Sequence, residues 1–165
     1  MKLSELKRGE TVFIDSNIFL YHFTGVSKEC KEFLKRCEMQ DLLGITGVTI
    51  LAEVCHRLMI AEAIERKLIR PQRPASQLQE KPEIIKSLSE YSAQLLNLMD
   101  WNIKVISSPE DMVLKSQVFR SQFGLLTHDS FIPVYMRFAN TNKLATHDKA
   151  LSRIPLLEVY SPSDI

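Results

Sequence analysis

Four carboxylates are the residues of this sequence whose type and placement suit chemistry. Asp15 directly follows the apolar run at residues 12–14, Glu53 lies early in a long helical pattern, Asp129 lies in the first turn of a later helix, and Asp148 follows a predicted strand. Each lies beside apolar sequence, whereas most other acids lie among Lys and Arg. Because the carboxyl ends of parallel strands share one edge of a sheet, Asp15 and Asp148 are expected to meet there.

Carboxylates gathered in one cleft repel each other and raise one another's pKa, and a divalent cation relieves that repulsion. Oxygen ligands without cysteine favour Mg²⁺ or Mn²⁺ over zinc. A cation held in this way binds a phosphate oxygen, lowers the pKa of a water molecule and stabilises the charge of an in-line displacement. The acids therefore point to phosphodiester hydrolysis. For Asp15 taken alone, a simple helix N-cap is an equally good interpretation.

The elements that must position these acids follow from hydrophobic periodicity. Short apolar runs predict strands at residues 12–14, 42–45, 103–106, 143–146 and 157–160. Helical spacing predicts helices at residues 18–22, 27–39, 46–68, 82–98, 108–123 and 125–139. The proline-rich segment 70–82 is interpreted as a mobile loop. Strands that alternate with helices indicate an α/β fold, a three-layer α/β/α sandwich around a central, mainly parallel sheet.

Composition sets the class of protein. The chain has 165 residues, of which 45% are hydrophobic and 25% charged, so residues 1–165 are predicted to form a single domain. No apolar run is long enough to span a bilayer and the start lacks the apolar core of a signal peptide, which favours a cytoplasmic protein. Cys30, Cys37 and Cys55 follow no CxxC spacing and are expected to be small buried hydrophobes.

The net charge is only +1, but segments 57–86 and 115–153 are locally basic. Local basic patches bind phosphates without a high overall charge, although a solvated surface is the ordinary role of such residues. Four of these cations are expected at the rim of an acidic cleft, where they would offset its repulsion of phosphate: Arg57, Arg137, Lys143 and Lys149.

The sequence resembles a known family, the PIN-domain ribonucleases, whose fold is that of the VapC-type toxins of bacterial and archaeal toxin–antitoxin pairs. The resemblance is carried by VFIDSN around Asp15, LAEV around Glu53, LLTHDS around Asp129 and LATHDKAL around Asp148. These segments match the family's four acids in order. The resemblance spans residues 12–160, almost the whole chain.

The resemblance implies that Asp15, Glu53, Asp129 and Asp148 bind one or two Mg²⁺ or Mn²⁺ ions. It also implies that Asn17 and Thr146 support the acids or the metal-bound water. The expected reaction is endonucleolytic cleavage of single-stranded or structured RNA, which leaves a 3′-hydroxyl and a 5′-phosphate. Members of the family commonly form homodimers, and an antitoxin protein blocks the site of the toxins.

The sequence departs from the family pattern in two histidines and one segment. His128 and His147 precede the third and fourth acids, and each is interpreted as a partly exposed spacer in preference to a ligand. Segment 70–82 is longer than in compact toxins, which leaves the usual antitoxin and dimer contacts open.

Three other functions are compatible with parts of the sequence. Haloacid-dehalogenase-like phosphatases need a second Asp two residues after the first, where this chain has Asn17. Nucleotide binding through a glycine-rich loop is disfavoured, because the five glycines form neither GxGxxG nor GxxxxGK[ST]. The remaining alternative is an RNA-processing or RNA-binding PIN-like protein that has no toxin role or no catalytic activity. A non-catalytic member would be expected to lack one of the four acids, and all four are present here.

Overall fold

The computed structural model describes residues 1–165 and is built around five short parallel strands in the order β3-β2-β1-β4-β5. The strands are Thr11–Ile14 (β1), Leu43–Gly47 (β2), Lys104–Ile106 (β3), Lys143–Ala145 (β4) and Glu158–Tyr160 (β5). All four pairings are parallel, so the sheet is more uniform than the mainly parallel sheet predicted. Every strand therefore ends at the same edge, and β1 and β4 are neighbours at the point where the strand order reverses.

Nine α-helices cover the two faces of the sheet. They are Ser16–Phe23 (α1), Lys28–Glu38 (α2), Val48–Glu65 (α3), Pro74–Glu80 (α4), Pro82–Ser87 (α5), Glu90–Met99 (α6), Met112–Lys115 (α7), Gln117–Phe123 (α8) and Thr127–Phe138 (α9). Val12 and Ile14 of β1 pack into the core formed with α1, α2, α3 and α6, whereas Phe13 packs into the core formed with α7, α8 and α9. This alternation along a doubly buried strand confirms the three-layer sandwich.

The start of α3 is fixed by a close contact at Gly47. A Cβ atom at residue 47 would lie 2.5 Å from ring atoms of Tyr135, which no side chain tolerates. Tyr135 is fully buried, lies stacked on Phe13 with 5.7 Å between ring centroids, and its hydroxyl accepts a hydrogen bond from Thr49 Oγ1 at 3.1 Å. Glycine at residue 47 thus lets α3, the helix that carries Glu53, begin directly against the core.

Two predicted helix ends are confirmed, whereas the predicted start of α3 is displaced. Ser27 caps α2 through Cys30 N, and Gly124 ends α8 in the left-handed conformation at φ +64°. The helix predicted over residues 46–68 begins only at Val48. Thr46 and Gly47 belong instead to β2, where they pair with β3.

The interpretation of residues 70–82 as a mobile loop is wrong, because the segment contains α4. Pro74 stands at the helix start, where its fixed φ is favourable. Leu78 is buried in a small cluster with Ala63, Ile69 and Leu88. This burial supplies the free energy that a polar, proline-rich segment lacks on its own.

Two helices predicted as continuous are each broken in two. The helix predicted over residues 82–98 stops at Ser87 and restarts at Glu90, because the Glu62 carboxylate accepts hydrogen bonds from the backbone of Ser89 and Tyr91. The helix predicted over residues 108–123 starts later and is interrupted at Ser116. Ser108 is the residue type that favours an N-cap at the start of that predicted helix, but its hydroxyl is hydrogen-bonded to that of Tyr135 instead.

Candidate active site

A cavity of about 300 Å³ lies at the carboxyl edge of the sheet, and all four predicted acids line it: Asp15, Glu53, Asp129 and Asp148. Asp15 follows β1 and Asp148 follows β4, the two strands that meet at the reversal of strand order. Glu53 comes from α3, on one face of the sheet, and Asp129 from the first turn of α9, on the other. The acids thus converge from four separate elements, although up to 133 residues separate them in sequence.

Asp15 is buried and fully engaged in hydrogen bonds. Its Oδ1 accepts from the backbone N of Ser16 at 2.7 Å, and its Oδ2 accepts from Asn17 Nδ2 at 2.7 Å and from Thr146 Oγ1 at 2.6 Å. The residue is also the N-cap of α1. The capping interpretation and the site interpretation of Asp15 therefore both hold, because the turn that caps the helix also directs the second oxygen towards Thr146.

Asn17 and Thr146 link the ends of β1 and β4. Asn17 Oδ1 accepts from the backbone N of His147 at 3.1 Å, and Thr146 Oγ1 accepts from the backbone N of Asp148 at 3.0 Å. Asp148 Oδ1 accepts in turn from the backbone N of Ala150 at 2.8 Å. The two polar residues that the sequence singled out hold both strand ends in one network.

Burial and mutual repulsion alter the acidity of this cavity. Burial, together with the charges of Glu53 and Asp148, raises the pKa of Asp15 to about 6, against the lowering effect of the hydrogen bonds from Thr146 and Ser16. The pKa of Asp129 is likewise raised by burial and then by the charges of Asp148 and Glu53. The cavity therefore carries more negative charge than it can stabilise alone, which favours the uptake of a cation.

The donor set fits a hydrated oxygen-liking cation better than a tightly chelated one. No three His, Cys, Asp or Glu side chains of the chain lie close enough together to chelate an ion unaided. Mg²⁺ usually keeps several waters and takes only one or two carboxylates. Four carboxylates around an open cavity, one of them anchored by three hydrogen bonds, meet that requirement.

Of the four basic residues expected at the rim of the cavity, only Arg57 lines it. Lys143 begins β4, at the opposite edge of the sheet, and its ammonium group pairs with Glu158. Arg137 lies near the end of α9, with its guanidinium 4.8 Å from the centre of the Phe119 ring. Charge alone could not place these residues, because their position depends on which end of an element carries them.

The two histidines that precede acids both line the cavity, together with a residue that the sequence analysis missed. His128 is exposed and lies 5.9 Å from Phe131 between ring centroids, whereas His147 is half-buried. Tyr21 is the missed residue, and its signal was present, since it lies one helical turn after Asn17 in α1.

Known proteins were compared with the chain in sequence and in structure. No protein-family model matches it. Ribonuclease VapC2 of Methanocaldococcus jannaschii is 24% identical over 163 residues, an alignment that covers 96% of each chain.

Three solved structures share the fold. They are VapBC2 of Rickettsia felis bound to a promoter DNA fragment (TM-score 0.59, 13% identity, 93% of this chain and 99% of that one), a toxin–antitoxin complex of Klebsiella pneumoniae (0.57, 19%, 93% and 99%) and PAE2754 of Pyrobaculum aerophilum (0.53, 16%, 90% and 88%). At these identities the structures show the fold alone. The predicted resemblance is confirmed: along nearly its whole length the chain is similar in sequence to a VapC ribonuclease, and it has the PIN-like fold of the VapBC toxins.

Proposed function

We propose that this protein is an endoribonuclease that hydrolyses RNA phosphodiester bonds with Mg²⁺ or Mn²⁺ as cofactor. The observation that carries the proposal is the convergence of Asp15, Glu53, Asp129 and Asp148 on one open cavity at the strand-order reversal. The similarity to a protein named as a ribonuclease supports the same reaction class.

Each residue of the site has a stated role in this proposal. One or two of the four acids would bind the cation directly, and the others would bind it through its water molecules. Thr146 and Asn17 orient Asp15 by donating to its Oδ2, and Thr146 also fixes the backbone of Asp148. When bound, the cation would stabilise negative charge on phosphate oxygens and lower the pKa of an attacking water.

The substrate class follows from the form of the cavity. Its acids repel phosphates, so the RNA backbone must approach closely enough to benefit from the cation and from Arg57. A single strand or a splayed loop can enter such a recess, whereas the backbone of a regular duplex is held on the helix surface. Single-stranded RNA should therefore be cut in preference to duplex.

The partner that this proposal adds is an antitoxin protein. Two of the solved structures with this fold are toxin–antitoxin complexes, VapBC2 and the Klebsiella pneumoniae pair. A protein that inserts basic side chains into the acidic cavity would compete with both cation and RNA. This chain would then be the toxin of the pair, and coexpression of a small neighbouring gene with it should yield a complex without ribonuclease activity.

Cleavage of a broad panel of labelled RNAs tests the proposal. Activity should require Mg²⁺ or Mn²⁺, disappear in EDTA and decline with added salt, since phosphate contacts then lose their counterion-release advantage. Asp15→Asn and Asp148→Asn should each reduce cleavage by more than about 100-fold, beyond the 10–100-fold typical of residues that only orient a ligand. The matched control is Asp100→Asn, an exposed acid at the end of α6, which should cleave like the wild type.

Persistent cleavage in EDTA, or by both site variants, would contradict the proposal and indicate a contaminating nuclease or another mechanism. An RNA-binding role without catalysis would appear as tight RNA binding with no cleavage of any RNA on the panel.

A further inference from the structure

Among the side chains of the cavity wall that do not hold the acids are two aromatic rings and one guanidinium, those of Tyr21, His147 and Arg57. Tyr21 lies four residues after Asn17 in α1, and Arg57 lies four residues after Glu53 in α3. Side chains four apart share one face of a helix. Each helix therefore presents a site residue and a second side chain of different chemistry to the same cavity.

Arg57 is the one Lys or Arg among the lining residues, and the acids do not neutralise it. It is exposed, and none of the ion pairs of the chain, counted to 4.0 Å, includes its guanidinium. An arginine that stands beside four carboxylates without pairing to any of them keeps its donors available. The planar guanidinium matches phosphate oxygens, which it binds through paired N–H groups.

Tyr21 and His147 form an aromatic pair in the same wall. Their ring centroids are 5.9 Å apart and their planes cross at 83°. Asn17 holds the backbone of His147, the Nδ1 atom of its ring is buried without a hydrogen-bond partner, and the residue lines the cavity. The pair is thus a fixed aromatic surface beside the acids.

We propose that Tyr21, His147 and Arg57 form a nucleotide subsite, in which an unpaired RNA base packs against the aromatic pair and Arg57 binds a neighbouring phosphate. The inference rests on the proposed function and adds a reason for single-strand selection. Aromatic side chains stack on any base and do so only when the base has left its duplex. A cationic side chain beside them offsets the repulsion between the RNA backbone and the acids.

Binding of a fluorescent single-stranded oligoribonucleotide tests the subsite by anisotropy, with Mg²⁺ present and with Asp129→Asn as the parent protein so that the RNA stays intact. Tyr21→Leu should raise Kd about tenfold or more, as expected for the loss of one base–aromatic contact. Tyr21→Phe, which keeps the ring, should bind like the parent. Phe138→Leu is the matched control, because Phe138 is an exposed aromatic outside the cavity.

Arg57→Gln should lower the slope of log Kd against log salt by about 0.7, the value for one phosphate contact on a single strand. The control for charge is Arg8→Gln, a side chain that is 90% exposed and precedes β1, at the opposite edge of the sheet. That variant should leave the slope unchanged.

A further experiment needs only the parent protein. It measures Kd for a series of oligonucleotides, each with one abasic nucleotide at a different position. One position should weaken binding about tenfold, while the others matter little.

Unchanged Kd for Tyr21→Leu and for every abasic position, or an unchanged salt slope for Arg57→Gln, would overturn the subsite. If the wild-type protein cuts RNA while these results are obtained, the proposed function stands without the subsite. If it neither cuts nor binds RNA, both are overturned.

Discussion

Asp15 is buried, although its proposed role needs a charged carboxylate. Its carboxylate is 5% exposed, and its pKa is raised to about 6 from 3.8, first by burial and then by the charges of Glu53 and Asp148 against the hydrogen bonds it accepts. The folded state therefore binds a proton more tightly than the unfolded state does. Stability from this group is complete below pH 4 and is lost as the pH rises through about 6.

This conflict predicts a pH-dependent difference between the metal-free wild type and Asp15→Asn. From pH 4 to pH 7 the wild type should lose on the order of 3 kcal/mol relative to the variant, since one pKa unit corresponds to about 1.4 kcal/mol. Urea unfolding in EDTA at several pH values measures it. Parallel stability curves for the two proteins would contradict the strong burial of a charged Asp15. Mg²⁺ at pH 7 should restore more stability to the wild type than to the variant, which has lost one of the four acids.

Thr146 is the residue on which both strand ends of the site depend. It is fully buried, donates to Asp15 Oδ2 at 2.6 Å and accepts from Asn17 and from the backbone of Asp148, each at 3.0 Å. Thr146→Val preserves the shape and removes all three hydrogen bonds. It should cost about 1–3 kcal/mol of unfolding free energy and lower RNA cleavage by about 10–100-fold.

Thr46→Val is the matched control for this prediction. Thr46 is equally buried and donates one hydrogen bond, to the backbone O of Ile14, in the neighbouring strand. The Thr46→Val variant should lose about 1 kcal/mol of unfolding free energy and keep the cleavage rate of the wild type. If both threonine variants lost activity equally, Thr146 would have no specific role in orienting the acids.

At the scale of elements, α6 owes its start to a residue of another helix. Glu62 of α3 is 4% exposed and accepts from the backbone N of Ser89 and of Tyr91, both at 3.0 Å, and from Arg66 at 3.1 Å. A carboxylate at a helix N-terminus satisfies backbone donors and interacts favourably with the helix dipole. This single side chain explains why residues 82–98 form two helices instead of one.

Glu62→Gln should destabilise the protein by about 1–3 kcal/mol, because the amide removes a negative charge and one acceptor and leaves a buried donor unpaired. Glu65→Gln, in the same helix but exposed and without hydrogen bonds, should stay within about 0.5 kcal/mol of the wild type. Thermal or urea unfolding measures both variants. Equal stability of the two would remove the capping role of Glu62.

At the scale of the whole molecule, the family resemblance predicts a homodimer, for which the apolar side of the helix over residues 84–98 or the start of the helix over residues 46–68 could supply the surface. The apolar face predicted over residues 84–98 is turned towards the body of the protein, with Leu88 and Leu98 buried. On the outer side of α6, Leu96 is 69% exposed and Met99 59% exposed. These are apolar side chains that a second copy would cover.

A homodimer through α6 therefore predicts that Leu96→Glu converts the protein to a monomer, because a charge buried at an interface core is costly. Light scattering at micromolar concentration measures the oligomeric state. Leu156→Glu, at another exposed leucine, is the control and should remain a dimer. A monomeric wild type would rule out the predicted assembly.

No helix of the chain combines the length and the apolar character needed to cross a membrane, as the absence of a long apolar run in the sequence predicted. The three cysteines are free. Cys30 and Cys37 are buried, as predicted, whereas Cys55 is only half-buried. The lack of a long apolar run is a property of composition and short-range pattern, which need no tertiary contact.

The sequence by itself determined what depends on neighbouring residues. A short apolar run such as residues 12–14 predicts a doubly buried strand, and the carboxylate after it is then expected at the carboxyl edge of the sheet. The Ser27 cap and the Gly124 stop are local hydrogen-bond and φ requirements. The order of the four acids, each beside a predicted element end, was enough to infer that they share a site.

Tertiary structure decided whatever depends on contacts between distant residues. Glu62 interrupts a helix 27 residues further along the chain at Ser89, and Tyr135 takes the hydroxyl of Ser108 that would otherwise cap a helix. Leu78 stabilises α4 only because Ala63, Ile69 and Leu88 surround it. Local pattern likewise cannot predict where a basic side chain lies. Arg57 lies beside the acids, whereas Lys143 lies at the opposite edge of the sheet, and only the folded chain fixes these positions.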